Sequence, residues 1–308
     1  MNKLMYDTDL IGDDLLTVML IVASKKVDLM GITAYGRLIG AQKRCETVQS
    51  LLEMLKAKDV ELVPGASRPL VIGPIKGCTF CDNIINKYIL NKRKRVNNYS
   101  NVIFKETAAN YIVKKVNQYP NEISLLCTGP LTNLALAVSL DPSIVNKFKS
   151  ITIMGGTYNE QGNSTPVAEA NFYNDPEAAR IVLEKFSNIN IVTLDTTLKV
   201  TITDSEIPTD SELTLFIHEL IKSCCNAHVE KVNKYIMPLH DALAFLSMIN
   251  PSLITYMSKN STVETQSIEC YGKLVCSKKA NLNAHNISID VNVEKTKELF
   301  MSLIKELL

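Results

Sequence analysis

Residues 3–35 read KLMYDTDLIGDDLLTVMLIVASKKVDLMGITAY, and this stretch decides the fold class. It divides into a short strand over 3–7, an apolar helix over 13–24 and a second strand over 29–35. The same alternation runs on. An amphipathic helix is expected over 41–58, a strand over 61–64, a helix over 104–119 and a buried strand over 123–127. A helix over 130–140 is opened by Pro130 at its first position and stopped by Asp141-Pro142, and strand 150–154, helix 176–185 and strand 189–195 follow. Strands separated by helices of this length form right-handed crossovers, and several of them make an α/β fold: a doubly wound, mostly parallel sheet flanked by helices.

The last third departs from the alternation. A long helical stretch is expected over 211–250, with strands over 262–268, 273–277 and 286–291 and a final helix to the end. No repeat and no Gly- or Pro-rich linker divides the chain, so a single domain over 1–308 is expected.

Composition narrows the partners. With 33 Lys+Arg against 32 Asp+Glu, the net charge of +1 leaves no basic footprint for a nucleic-acid polymer. The longest apolar run, 15–23, is interrupted by Thr17 and is far short of the roughly 20 residues that span a bilayer. Acidic residues arrive too early in the N-terminal segment for a signal peptide, so a cytoplasmic location is expected. The eight cysteines are scattered, and free thiols are expected of all of them, including the pair Cys78 and Cys81. The run Lys92-Arg93-Lys94-Arg95, in an Asn- and Lys-rich segment, reads as a solvated loop before it reads as a nuclear address or a phosphate patch.

Chemistry gathers where strands end, since open parallel sheets bind ligands beyond the carboxyl ends of their strands. The turn after the first strand carries Asp7, Asp9, Asp13 and Asp14. Like charges at this density repel and raise one another's pKa, whereas a hard dication uses their oxygens as ligands. Helix capping explains Asp13 and Asp14 but leaves Asp7 and Asp9 unexplained. Thr128 and Gly129, Met154 to Gly156, Asp195 to Thr197, and Tyr35 to Arg37 line other strand ends. Asn163, Glu169 and Asn171 fall in one loop, a set suited to sugar hydroxyls. Of four histidines, His240 stands next to an aspartate able to ligate a dication, Asp241, and is the best general-acid candidate.

Taken in order, Asp7 to Asp14, Thr128 to Asn133, Met154 to Gly156, Asn163 to Asn171, Asp175 to Ala179 and His240-Asp241 resemble the inosine–uridine nucleoside hydrolases, essentially end to end. The resemblance implies a calcium-dependent ribonucleoside N-ribohydrolase that splits the N-glycosidic bond to free base and ribose. It implies that Asp9, Asp14, the Thr128 carbonyl and Asp241 hold Ca²⁺. It makes Asp9 the base that activates water and His240 the acid that protonates the leaving base. Asp13, Asn163, Glu169 and Asn171 would grip the ribose, with Met154 packed against it. A small ribonucleoside is the implied partner, and a homodimer or homotetramer the implied assembly.

Departures from the family pattern are local. Leu10-Ile11 replaces the usual Pro-Gly, and Arg37 stands where the family carries an asparagine. Arginine cannot accept a hydrogen bond, so Arg37 either meets an anion such as a phosphorylated ribose or turns to solvent. With no Trp, stacking on the base falls to Tyr or Phe, such as Phe80, Phe172 or Tyr235, and His228 lies within reach of the same region. Competing readings are a Mg²⁺-dependent phosphatase of the haloacid dehalogenase type, with a nucleophilic first aspartate, and a catalytically weak nucleoside- or sugar-binding relative.

Overall fold

The computed structural model describes residues 2–36, 40–71, 84, 87–89, 103–277 and 282–307. In chain order these form β1 (Asn2–Thr8), α1 (Asp13–Ser24), β2 (Val27–Ala34), α2 (Ala41–Met54), β3 (Glu61–Pro64), α3 (Ala108–Gln118), β4 (Ile123–Cys127), α4 (Thr132–Leu140) and β5 (Ser150–Met154). Then come α5 (Ala170–Asn174), α6 (Pro176–Lys185), β6 (Asn190–Val192), α7 (Leu194–Thr197), β7 (Thr201–Ile202), α8 (Glu212–Val232), β8 (Met237–Pro238) and α9 (His240–Ile249). The chain closes with β9 (Ile254–Val263), β10 (Leu274–Ser277), β11 (Ala284–Val291) and α10 (Val293–Glu306).

The main sheet runs β10-β9-β11-β6-β5-β4-β1-β2-β3. Every pairing from β3 to β11 is parallel, and only β9 runs against its neighbours. The expected doubly wound sheet is therefore present, extended beyond β11 by the antiparallel β9 and the edge strand β10. Strand order reverses between β1 and β4, and the crevice for a ligand opens at such a switch point.

The pleat of each strand sorts its side chains between two cores. Leu4 and Tyr6 of β1 and Leu126 of β4 join residues of α1, α2, α8, α9 and α10 on one face. Met5, Leu125 and Cys127 join residues of α3, α4 and α6 on the other. Burying both faces of the sheet is what makes strands such as β4 apolar at every position.

Several expectations need correction. The strand expected over 189–195 ends at Val192, and Leu194–Thr197 is the short helix α7. The helix expected from Pro130 begins at Thr132, with Leu131 at its cap. The single stretch expected over 211–250 is two helices, α8 and α9. Between them Asn233 takes a left-handed conformation at φ 56°, and β8 pairs with β7. Strand β9 begins at Ile254, eight residues before the expected start, because its alternating pattern is blurred by the polar run Ser258 to Ser261. Arg37, Cys78, Phe80, Cys81 and Lys92 to Arg95 lie outside the described residues. Cys45, Cys127, Cys224, Cys225, Cys270 and Cys276 are free thiols, as expected. No helix among the described residues is long and apolar enough to cross a membrane.

Candidate active site

The carboxyl ends of β1 and β4 and the first turns of α1 and α9 meet at the switch point. Asp13, Asp14 and Asp241 each bring one carboxylate oxygen within 4.8 Å of the others. Asp9 and Asp14 share a hydrogen bond, as do Asp13 and Asp241. Two carboxylates can hydrogen-bond only by sharing a proton. Burial, and then the neighbouring carboxylates Asp13 and Asp14, push Asp241 far above the usual range. Burial first also raises Asp14, and lifts Asp13 to about 6. Among the described residues no Lys or Arg forms an ion pair with this cluster. A hard divalent cation fits the all-oxygen donor set of Asp13, Asp14 and Asp241.

Hydroxyl groups hold Asp14 in place. Its Oδ1 accepts from Thr128 Oγ1 at 2.6 Å, from Tyr6 OH at 3.2 Å and from Thr8 Oγ1, while Oδ2 accepts the Ile11 N–H at 2.8 Å. Thr8 and Tyr6 were not legible as site residues. They alternate along β1 onto the face that meets α1.

Asp7 goes elsewhere. On the opposite face of β1 it accepts from Thr33 Oγ1 at 2.6 Å and Asn133 Nδ2 at 2.8 Å, and burial lifts its carboxyl to about 7. A nucleophile must reach a substrate, and this side chain is 1% exposed, so the phosphatase reading loses its key group. Asp9 lies just past the end of β1, in a turn where Leu10 adopts φ 54°. Arg44 Nη1 donates to the Leu10 carbonyl at 3.1 Å, and Thr8 Oγ1 accepts the Leu10 N–H. These bonds support a left-handed conformation that a side-chain-bearing residue adopts at a cost. The turn thus differs from one built on Pro-Gly, because proline cannot adopt a positive φ.

The loop residues divide. Glu169 is buried and caps α5, its carboxylate taking the N–H groups of Gly156, Asn171 and Phe172. Asn171 Nδ2 bridges the carbonyls of Thr128 (3.0 Å) and Met154 (3.1 Å), tying the ends of β4 and β5 together. Asn163 accepts the Ala170 N–H and lines a cavity of about 160 Å³ together with Asp13 and His240. His240 Nδ1 shares a 2.7 Å hydrogen bond with Thr197 Oγ1, which fixes the ring. Burial, and then the charges of His228 and Lys231, hold His240 down at about 4, so the ring is neutral at pH 7. His228 lines the cavity as well. Phe172 is fully buried behind Gly155, and Tyr235 donates to Asp204 instead, so neither is among the cavity-lining residues.

The chain matches the family described as inosine-uridine preferring nucleoside hydrolase over residues 4–298. It belongs to that family. Uridine nucleosidase 1 of Arabidopsis thaliana is 31% identical over 277 residues, covering 88% of this chain and 80% of that protein. Probable uridine nucleosidase 1 of rice (Oryza sativa subsp. japonica) is 31% identical over 279 residues, covering 88% and 83%. A solved plant nucleoside hydrolase, PpNRh1, superposes with a TM-score of 0.89 at 25% identity over 98% of both chains. This nucleoside hydrolase is therefore an enzyme that hydrolyses the N-glycosidic bond of ribonucleosides. Its acidic cluster is the place in the described structure where a metal ion fits.

Proposed function

We propose that this nucleoside hydrolase is calcium-dependent, with Asp9, Asp14, the Thr128 carbonyl and Asp241 as the metal-holding groups. The observation that carries the reading is the convergence of Asp13, Asn163 and His240 on one cavity, with Asp14 and Asp241 beside Asp13. Calcium, when bound, supplies Lewis acidity toward the ribose hydroxyls and a water molecule.

The chain's own groups account for the rest of the reaction. Asp9 takes a proton from the attacking water, which adds to C1′ as the C–N bond breaks through an oxocarbenium-like state. Asp13 and Asn163 hold the ribose in the orientation that the transition state requires. Glu169 and Asn171 fix the loop and strand ends around it, and Met154 packs against the sugar. His240, neutral at pH 7, relays a solvent proton to the departing base. A cytoplasmic location and a homodimer or homotetramer belong to the same reading.

Ribose release from a panel of purine and pyrimidine nucleosides, with and without chelator, tests this function. Turnover that is lost with chelator and restored by Ca²⁺ is expected. Turnover untouched by exhaustive chelation would overturn the metal assignment. Asp9→Asn is expected to abolish release while the protein stays folded, and activity surviving in it would remove Asp9 as the base.

A further inference from the structure

One wall of the cavity is a face of α8. Cys224, Ala227, His228 and Lys231 stand at i, i+3, i+4 and i+7, and all four line the cavity. Among the described residues Lys231 takes part in no ion pair. It and Lys234 hold His228 below its ordinary pKa, after burial, so positive charge collects at this end. Asp13 lines the same cavity with Asp14 and Asp241 beside it, and these three carboxylates exceed the charge of one bound dication, so this part of the cavity stays negative. The cavity is electrically bipolar.

A ribonucleoside is neutral before cleavage, but its transition state is not. As the C1′–N bond lengthens, the ribose becomes positive and the base negative. A bipolar cavity therefore binds the separating charges more strongly than the intact substrate, which is the condition for acceleration. We propose that Lys231 holds the negative charge that develops on the departing base, and so favours bases whose anion spreads onto a carbonyl oxygen beside the departing nitrogen, as in uracil.

The step balances with the groups already named. The electron pair of the C1′–N1 bond leaves on the base, and water oxygen forms the new bond to C1′. The water proton passes to Asp9. The base anion, its charge shared with O2 next to the Lys231 ammonium, then takes a proton from solvent water through His240, whose neutral ring gives up one proton as it takes up another. The inference rests on the ribohydrolase reading above and adds to it the handling of the leaving group.

The test compares the unsubstituted enzyme with Lys231→Met and Lys231→Arg on uridine, on 5-fluorouridine, whose base is a more acidic leaving group, and on uridine 5′-monophosphate. Lys231 is exposed, so Lys231→Met is expected to leave the melting temperature unchanged. Its kcat/KM on uridine is expected to fall of order 10-fold, the loss of one charge-assisted contact, with a clearly smaller fall on 5-fluorouridine. Lys231→Arg should retain most of the activity, since it keeps the charge. An equal fall on both nucleosides, or no fall at all, would overturn the proposal. So would a loss confined to uridine 5′-monophosphate, which would make Lys231 a phosphate contact. If the unsubstituted enzyme cleaves neither nucleoside, the ribohydrolase reading itself has failed, a result distinct from all of these.

Discussion

Thr128 Oγ1 donates to Asp14 Oδ1 at 2.6 Å, fastening the end of β4 to the first turn of α1 across the switch point of the sheet. The same hydroxyl lies 2.8 Å from Tyr6 OH, so one threonine orders two partners around a buried carboxylate. Thr128→Val keeps the backbone carbonyl and the side-chain volume but removes these bonds. It is expected to destabilise the protein by about 1–3 kcal/mol. Metal affinity should weaken about 10- to 100-fold, as when a group orienting a metal ligand is lost. Urea unfolding and calcium titration measure the two effects. Unchanged calcium affinity would show that Asp14 needs no such orientation.

Calcium binding should depend on pH. In the metal-free protein the cluster carboxyls are held above their usual range, Asp13 at about 6, so protons must leave before a cation can bind. Affinity is expected to rise with pH through about 6, by roughly tenfold per pH unit for each proton displaced. Calorimetry in buffers of different ionisation enthalpy reads the protons released. Binding that releases none between pH 5 and 7 would contradict the geometry. Asp241→Asn, which removes one ligand and one titrating group, should weaken binding and flatten the dependence together.

Asp7 makes a separate stability prediction. Its folded-state pKa, raised from 3.8 to about 7 by burial, means that the native protein holds a proton the unfolded chain has lost across that window. Stability is therefore expected to fall as pH rises from about 4 to about 7, by up to about 1.4 kcal/mol per pH unit, and the loss is complete above pH 7. Asp7→Asn mimics the protonated form and does not titrate. Relative to the natural residue it should stabilise at pH 8 and make little difference at pH 4, as measured by urea unfolding with chelator present. Parallel curves for the two proteins would show that Asp7 is not the titrating group.

Asp195 organises the approach to the substrate loop. Its carboxylate accepts the N–H groups of Tyr158 (2.8 Å), Asn159 (2.7 Å) and Glu160 (3.3 Å), just ahead of Asn163. Asp195→Asn turns one acceptor into a donor facing these groups. KM for the nucleoside is expected to rise several-fold with kcat little changed, and amide exchange over 157–160 to speed up. A fall in kcat alone would place Asp195 in the chemistry rather than in the support of the loop.

Much of the fold was written locally. Helix α1 spans the expected 13–24, and β3, β4, β5 and α6 also match their expected bounds, because apolar period and punctuation agree there. Asp175 and Pro176, for example, cap and open α6 in the order that a helix start requires. The break between α8 and α9 was hidden because the apolar pattern runs through it. Asn233 and Pro238 were the available signals, and only the pairing of β7 with β8 gives them effect.

The sequence by itself determined that strands and helices alternate, and that carboxylates crowd the end of the first strand. It did not determine which carboxylates act together. Along β1 the pleat sends Tyr6 and Thr8 toward α1 and Asp7 the other way, while Asp9, past the strand, is turned by the left-handed Leu10 into hydrogen-bond contact with Asp14. Lys231 lines the cavity that Asp13 also lines, and Asp241 stands beside Asp13, because α8 and α9 pack on that face of the sheet. Local propensity acts over a few residues, whereas the meeting of α1 with α9 is set by how crossover helices bury their apolar faces. The bipolar charge of the cavity is therefore a property of the packed fold.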